Sequence, residues 1–289
     1  MCVLMPHRHN EEAEEHLDVY HKVHNHGWIA LVDYMGNDTR IAEAARQSTS
    51  GKSKGEEKDR ELLMYMFENH HTSPFEMVET VWHVRMPIFV MRQWVRHRTS
   101  SLNEYSGRYS KMKPEFYVPE LTRAIESAQD ESNHQGSQGG MKWGAATWLC
   151  KSLVENQAKD WRCYESYLDT GFSRELSRIN LPLSTYTTIM WKMDLHNLFH
   201  FLALRMHPHA QYEIRAYADI MWRVVKDIAP IACEAFEQWV LKARTLSMTQ
   251  VAAMKEVNSF ITGLHTGGIL SEDSKELDEL IELIKRTKL

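Results

Sequence analysis

The stretch from Val78 to Arg98, VETVWHVRMPIFVMRQWVRHR, holds both element types from which we expect the fold to be built. In its first half, apolar side chains alternate with more polar ones up to Arg85, which is the period of a half-buried β-strand. Pro87 fits the first turn of a helix, and the apolar run from Ile88 to Val95 continues that helix. The sequence therefore predicts a strand, then a helix that delivers Arg96, His97 and Arg98 at its end.

The same periodicities predict further elements on both sides of this stretch. The β-branched and aromatic run 184–191 predicts a strand, and Asp38 and Asp194 are predicted to be the N-cap residues of two helices. Strands that are far apart in the chain, without a regular βαβ rhythm, favour an α+β fold with a mixed or antiparallel sheet flanked by long helices. Helices are predicted over 38–47, 61–70, 143–168, 195–206 and 271–288, and from Gln211 toward Lys242 with a bend near Pro230.

We expect residues 1–289 to form a single catalytic domain with three appendages. Residues 1–30 contain several histidines in a polar context without the spacing of a defined metal site, so we expect a solvated arm and no bound metal. Residues 121–140 are rich in Ser, Gln and Gly and predict a mobile polar insertion without a catalytic role. Residues 245–289 predict a helical tail, and 48–58 a polar loop.

Composition limits the possible functions of the chain. A net charge of -5 and a pI near 6.3 argue against non-specific nucleic-acid binding as the main function. No apolar run has the length of a membrane span, and the start of the chain has no apolar signal segment. Cys2, Cys150, Cys163 and Cys233 form no metal-binding or disulfide pattern, so we expect free thiols and a cytoplasmic protein.

Charge is locally inverted between residues 85 and 113. Glu104 is the only acidic residue of this segment, although the whole chain is acidic. Guanidinium groups match phosphate oxygens in pairs, so the segment predicts a phosphate site, with a surface salt-bridge network as the alternative. Its seven basic residues are Arg85, Arg92, Arg96, Arg98, Arg108, Lys111 and Lys113.

Four motifs in register resemble the flavin-dependent thymidylate synthases. The Arg96-His97-Arg98 triplet, followed after seven residues by Ser106, is similar to the signature of that family. The other matching blocks are His71 to Glu76, Arg178 to Pro182, and Leu204 to Arg215, so the resemblance covers roughly residues 38 to 240. It implies an enzyme that forms dTMP from dUMP, with methylenetetrahydrofolate as carbon donor, NADPH as reductant and FAD as cofactor. It also implies a homotetramer whose active sites are shared between subunits, with no role for nucleic acid or a membrane.

The resemblance implies a set of dUMP-binding and catalytic residues. Arg205 matches an arginine beside the uracil ring, where its charge stabilises negative charge on the pyrimidine oxygen; the alternative is an arginine placed by the helix dipole. Ser106 is expected to orient the substrate, since no base is placed to make it a nucleophile. Gly107 predicts a close backbone approach or a positive φ, or else a plain turn. The dUMP-binding set is Gln93, Arg96, Glu104, Ser106, Gly107, Arg108, Arg178 from a neighbouring subunit, and Arg205.

The resemblance also implies a flavin site made without a Rossmann glycine fingerprint, which the sequence lacks. His71 matches a residue associated with folate or nicotinamide access. At Asp194 and His200 the family pattern has Asn. The implied FAD contacts are Ser48, Ser73, Glu76, Arg96, His97, Arg98, Glu104, Asp194, His196 and His200.

Two other functions stay open from the sequence. The first is a single-stranded nucleic-acid binder that stacks bases on Trp94, Tyr105 and Tyr109, which would show a steep salt dependence. The second is a flavoprotein that methylates another uracil-containing substrate, such as RNA. In that case dUMP would compete poorly with the substrate for the site.

Overall fold

The computed structural model describes residues 9–48, 55–131, 136, 137 and 139–266. The strands of these residues are β1 His21–Val23, β2 Gly27–Met35, β3 Glu79–Pro87, β4 Ser101–Glu104 and β5 Tyr186–Asp194. They form one sheet in the order β1-β2-β3-β5-β4, and every neighbouring pair is antiparallel. The predicted α+β class is confirmed, and the sheet is antiparallel throughout.

Helices account for most of the remaining described chain. Short 3-10 turns cover Phe75–Met77 and Arg178–Asn180, and a π-helical turn covers Glu237–Leu241. The α-helices are α1 Glu11–Glu14, α2 Asp38–Arg46, α3 Glu56–Glu68, α4 Ile88–Trp94, α5 Leu121–Ile125, α6 Trp143–Asp169, α7 Arg174–Ser177, α8 Leu195–Arg205, α9 Tyr212–Ile228, α10 Pro230–Phe236 and α11 Met248–Thr266.

The predicted strand and helix of the stretch 78–98 are confirmed as β3 and α4. β3 lies at the centre of the sheet, and its alternation buries one face, on which Trp82 stands opposite Trp191 of β5. Trp94, at the end of α4, packs edge-on against Trp191 with ring centroids 5.2 Å apart. Each large buried side chain contributes roughly 1.5–3 kcal/mol relative to exposure, so this aromatic layer fixes where α4 ends.

The long helices lie where their patterns predict, with two differences: α3 begins at Glu56 instead of residue 61, and the N-cap of α2 is Asn37 instead of Asp38. Asp194 caps α8 by accepting a hydrogen bond from the backbone N–H of Asn197 at 2.9 Å. α9 buries a continuous apolar stripe that includes Ile214, Tyr217, Met221 and Val225, as expected for an amphipathic helix on a core. The predicted bend near Pro230 is the junction between α9 and α10.

The solvated N-terminal arm predicted for residues 1–30 is wrong for the part that the structure describes. Residues 21–30 build β1 and the first half of β2, and they extend the sheet. His16 Nε2 bonds to Asp227 on α9 at 2.7 Å, and His24 packs against the rings of Tyr117 and Tyr217. The polar composition misled the prediction because these histidines have partners that lie far away in the chain.

The predicted polar insertion, 121–140, is partly ordered. Its first residues form α5, in which Ala124 is buried and Arg123 is half-buried. Gln129 and Ser137 then meet in an isolated antiparallel bridge. Its first turn therefore packs into the protein, contrary to the prediction of a mobile segment.

The chain divides into two compact units, residues 1–241 and 242–289. The boundary lies close to the predicted start of the tail, of which α11 is the described helix. The helix predicted over 271–288 and most of the loop predicted over 48–58 lie outside the described residues. None of the described helices has the length and apolar character needed to cross a bilayer. The single catalytic domain stays a prediction.

Candidate active site

The end of α4 and the end of α8 meet, and four polar side chains gather there. We call Gln93, His97, Arg205 and Gln211 the Arg205 cluster. After α4 the chain makes a further turn, in which the backbone N–H of His97 donates to the carbonyl of Trp94 at 3.1 Å. This turn buries the His97 ring against Phe201 of α8, with ring centroids 4.8 Å apart. Two segments that are about a hundred residues apart thus build one site.

Arg205 is held in one orientation by two acceptors. Its Nε donates to His97 Nε2 at 3.0 Å, and its Nη2 donates to the backbone carbonyl of Gln93 at 3.2 Å. Since a guanidinium only donates, His97 Nε2 must be the unprotonated ring nitrogen. Burial, then the neighbouring Arg205 and His200, lower the pKa of His97 to about 4, so the ring is neutral at physiological pH. The structure thus turns His97 inward, toward Arg205, whereas the sequence assigned it to FAD.

This arrangement predicts a pH dependence of stability. The pKa of His97 is about 4 in the folded protein and near 6.5 when the ring is free, so between these values the unfolded chain binds the proton first. The stability contributed by neutral His97 is therefore complete above pH 6.5 and is lost as the pH falls toward 4. In His97→Gln, which cannot titrate, we expect the free energy of unfolding to vary less across this window in chemical denaturation. His209→Gln, at an exposed histidine, should follow the wild-type slope; equal slopes for all three proteins would contradict the assignment.

A second group of predicted residues includes the turn that follows β4, whereas His97 precedes that strand. We call Ser106, Gly107, Arg108 and Arg178 the Gly107 cluster. Ser106 begins a turn in which its carbonyl accepts the N–H of Tyr109 at 3.1 Å and its Oγ accepts the N–H of Arg108 at 3.3 Å. The turn thus places hydroxyl and guanidinium groups side by side, which suits an anionic ligand.

Gly107 is required for space rather than for a left-handed backbone. A Cβ at this position would lie 2.9 Å from Met112 Sδ and 3.0 Å from Arg178 Cδ, and its φ is not positive. The structure therefore favours the close-approach interpretation of Gly107, and the groups that come close are the side chains of Met112 and Arg178. The resemblance takes Arg178 from a neighbouring subunit, and the structure shows that it lies beside Gly107 of its own chain.

For dUMP, the substrate that the resemblance implies, Gly107→Ala should raise the KM by about tenfold, the order of one substrate hydrogen bond. The added methyl group meets two flexible side chains, so we expect the fold to survive while Arg178 moves away from the turn. Steady-state kinetics with varied dUMP and a thermal melt would measure both effects. Gly144→Ala is the matched control, because nothing lies within 4 Å of a Cβ at that helical position. A KM equal to that of the wild type would mean that Arg178 is not placed by this glycine.

Glu104 is tied to the sheet edge between the two clusters. β4 pairs with β5 from Ser101 opposite Lys192 to Glu104 opposite Ile189, and it spans roughly 13 Å. Glu104 Oε1 accepts a hydrogen bond from Thr187 Oγ1 at 2.7 Å. The structure thus places the predicted dUMP residues in two groups on either side of β4.

The predicted FAD residues also fall into groups. Asp194 stands opposite Glu79 in the β3–β5 register, which brings the turn containing Ser73 and Glu76 next to the start of α8. His196 and His200 follow one turn apart on α8, and the His200 ring lies 5.9 Å from that of His97. Asp194 is engaged as the helix cap, a task that Asn performs equally well. The Asn that the resemblance implies at this position would serve as the same cap without the carboxylate.

Two predicted residues lie apart from these groups. Ser48 is exposed just after α2, and its Oγ donates to the carbonyl of Ala45 at 3.1 Å. His71 is exposed after α3, following His70, whose φ of 59° turns the chain out of the helix. Its exposed ring is accessible to a ligand from solvent and lies 6.2 Å, centroid to centroid, from that of Tyr65.

The exposed cations fit a site for a phosphorylated ligand or cofactor. Arg96 and Arg98 are exposed, and Arg178 is half-buried. Within the described ranges, none of these three has an acidic partner, whereas Arg108 pairs with Glu175 at 2.9 Å. Guanidinium and hydroxyl donors at a sheet edge and a helix end are the means of binding a pyrophosphate without a glycine-rich turn.

The sequence did not predict the residues that hold the Gln93 side chain in place. The Gln93 Nε2 donates to Gln211 Oε1 at the start of α9, and Glu213 in the first turn of the same helix pairs with Arg123. A signal was present, because Gln211 and Glu213 both lie in a motif that resembles the family. Their role depends on which residues they meet, and only the fold determines that.

Comparison with known proteins identifies the class first. A crystal structure of the UMP/dUMP methylase PolB from Streptomyces cacaoi, bound with 5-Br dUMP, is 31% identical, with a TM-score of 0.70 over 76% of this chain and 98% of that one. This likeness shows that the chain shares the α+β fold of that methylase. A family model described as thymidylate synthase complementing protein matches residues 30–231, and the chain belongs to that family.

Curated relatives agree with this assignment. A flavin-dependent thymidylate synthase of Treponema denticola is 44% identical over 93% of this chain and 98% of its own length. One of Thermus thermophilus is 45% identical over 79% of this chain and 82% of its own. The resemblance inferred from the four sequence motifs is confirmed.

Proposed function

We propose that the chain is a flavin-dependent thymidylate synthase that methylates dUMP to dTMP. The observation that carries the proposal is family membership over most of the chain, together with relatives of that name at above 40% identity. The complete reaction converts dUMP, methylenetetrahydrofolate, NADPH and a proton to dTMP, tetrahydrofolate and NADP⁺. Flavin, when bound, would supply the redox chemistry, and the protein supplies orientation and charge.

Arg205 is the residue proposed to act on the pyrimidine. Carbon and hydride addition to the uracil ring places negative charge on a ring oxygen, and a fixed guanidinium stabilises that charge most where water is excluded. The hydrogen bonds to His97 and to the Gln93 carbonyl hold Arg205 before substrate arrives. Preorganisation of this kind avoids the cost of reorienting the charge during the reaction.

The Gly107 cluster is proposed to bind the dUMP phosphate. Arg108 and Arg178 supply charge, and Ser106 supplies a hydroxyl donor, at a turn where the backbone is already fixed. Gln93, in the Arg205 cluster, would contact the base side of the nucleotide, and Arg96 lies three residues further along the chain. The separation of the two clusters by β4 supports the proposal that a complete site combines the Arg205 cluster of one subunit with the Gly107 cluster of another, in a homotetramer.

Flavin is proposed to lie at the N-terminal part of α8. Ser73, Glu76, His196 and His200 present hydroxyl, carboxylate and imidazole groups there, and Arg96 and Arg98 would reach the pyrophosphate. His71 would stand at the entry for folate or nicotinamide. Cys150, Cys163 and Cys233 are free thiols, which suits the proposed cytoplasmic location.

A second substrate is favoured by one observation. The structural neighbour is a methylase of both UMP and dUMP, and it has also been crystallised with 5-Br UMP. UMP is therefore the first alternative substrate to compare with dUMP.

The test is product formation by purified protein given FAD, NADPH, methylenetetrahydrofolate and either dUMP or UMP, with chromatographic detection of the methylated nucleotide. We expect flavin-dependent dTMP formation and little product from UMP. If the protein strongly preferred UMP, then UMP and not dUMP would be its proposed substrate. Turnover that does not need flavin, or no turnover with flavin bound, would contradict the proposal.

A further inference from the structure

Arg123 lies on α5, in the segment for which the sequence predicts no catalytic role. Its side chain is 17% exposed and forms a salt bridge with Glu213 of α9 through two hydrogen bonds. Nε donates to Oε1 at 2.9 Å and Nη2 to Oε2 at 3.5 Å. Its guanidinium carbon also lies 5.6 Å from the centroid of the Tyr212 ring. These contacts cross 90 residues of sequence and attach α5 to the first turn of α9.

Glu213 is a buried carboxylate with little freedom to move. The residue is 3% exposed, and its Oε1 also accepts a hydrogen bond from the Tyr117 hydroxyl at 2.8 Å. Burial acts to raise the pKa of Glu213, but hydrogen bonds from Arg123, Tyr117 and Gln211 hold it below the ordinary value. A buried charge keeps its place only while its partners stay, so the position of Glu213 depends on Arg123.

The network continues from Glu213 to the Arg205 cluster. Gln211 lies at the start of α9, two residues before Glu213, and its Oε1 accepts a hydrogen bond from Gln93 Nε2. The backbone carbonyl of Gln93 in turn accepts from Arg205. Because Arg123 holds Glu213, it also holds the start of α9, from which Gln211 offers its amide oxygen to Gln93.

We infer that Arg123 is a positioning residue for substrate binding, which acts through Glu213 and Gln211 to hold the Gln93 amide in its binding orientation. The inference rests on the proposed function, because Gln93 is assigned to dUMP there. It gives the segment 121–140 a role at a distance from the ligand, through three successive side chains.

The experiment measures KM for dUMP and kcat in Arg123→Ala, Gln93→Ala and the double variant. We expect Arg123→Ala to raise KM by about tenfold, with a much smaller change in kcat, the order of one lost hydrogen bond. If Arg123 acts through Gln93, the double variant has the KM of Gln93→Ala alone, because the two changes break one chain of contacts. A purely structural role would instead give effects that multiply.

Two further variants keep the test decisive. Tyr117→Phe removes the other hydrogen bond to Glu213 but keeps the ring, so it serves if Arg123→Ala does not fold, and a smaller KM rise is expected. Glu126→Gln is the matched control, since it removes a charge from the same exposed segment outside the network, and it should match the wild type. An unchanged KM in Arg123→Ala, or multiplying effects in the double variant, would overturn the inference. Wild-type protein that forms no dTMP would instead refute the proposed function itself.

Discussion

Arg205→Gln should lower kcat for dTMP formation by about 10²- to 10³-fold, the cost of removing one preorganised donor from a developing oxyanion. KM for dUMP should change much less, because the charge on the ring develops only as the reaction proceeds. The Gln side chain can still donate to His97, so the end of α8 should remain folded. Single-turnover measurement of dTMP formation, with a thermal melt for each variant, would test this.

Two comparisons make the Arg205 result specific. Arg205→Lys keeps the charge but loses the paired hydrogen bonds to His97 and to the Gln93 carbonyl. Its kcat should therefore lie between those of the wild type and Arg205→Gln. Arg223→Gln changes an exposed arginine on α9, which donates to the backbone carbonyl of Asp219, and should match the wild type. A fully active Arg205→Gln would remove this residue from the catalytic step.

Arg178→Ala should raise the concentration of dUMP needed for half-maximal rate by about 10- to 100-fold while flavin stays bound. A hydrogen bond to a charged group contributes about 1.5–3 kcal/mol, and each 1.4 kcal/mol is a factor of ten in affinity. Arg178 contacts the Gly107 turn and has no acidic partner in the described part of the chain, so little else should depend on it. Equilibrium titration with dUMP and the flavin absorbance of the purified variant measure the two quantities.

The control for Arg178 is Arg162→Ala, at an exposed position on α6. It removes the same charge from the same protein without touching either cluster, so any uniform electrostatic effect would appear in both variants. Loss of flavin with unchanged dUMP affinity in Arg178→Ala would mean that this arginine serves the cofactor.

The two arginines differ in how far their surroundings could be predicted. Arg205 ends a helix whose cap, Asp194, and apolar stripe are visible in the sequence. Its hydrogen-bond acceptors are not, because His97 and the Gln93 carbonyl belong to another element. His97 shows the limit most clearly: the signature motif marks it as functional, but only packing against Phe201 shows that it faces Arg205 and is neutral.

The errors have one physical cause. The N-terminal histidines and the segment after Leu121 are polar, and polar composition predicts exposure when no partner is known. In the fold, His16 meets Asp227 and Arg123 meets Glu213, so these polar groups become ordered through partners more than 85 residues away.

The sequence by itself determined the α+β class, the approximate positions of the long helices, the central strand and the family, because periodicity and local motifs encode these features over short distances. The tertiary structure alone decided the sheet order, the inward orientation of His97, the place of Arg178 beside Gly107 and the path from Arg123 to Gln93. Each of these depends on which side chains meet across the fold, and burial, charge and hydrogen bonding between distant residues determine that.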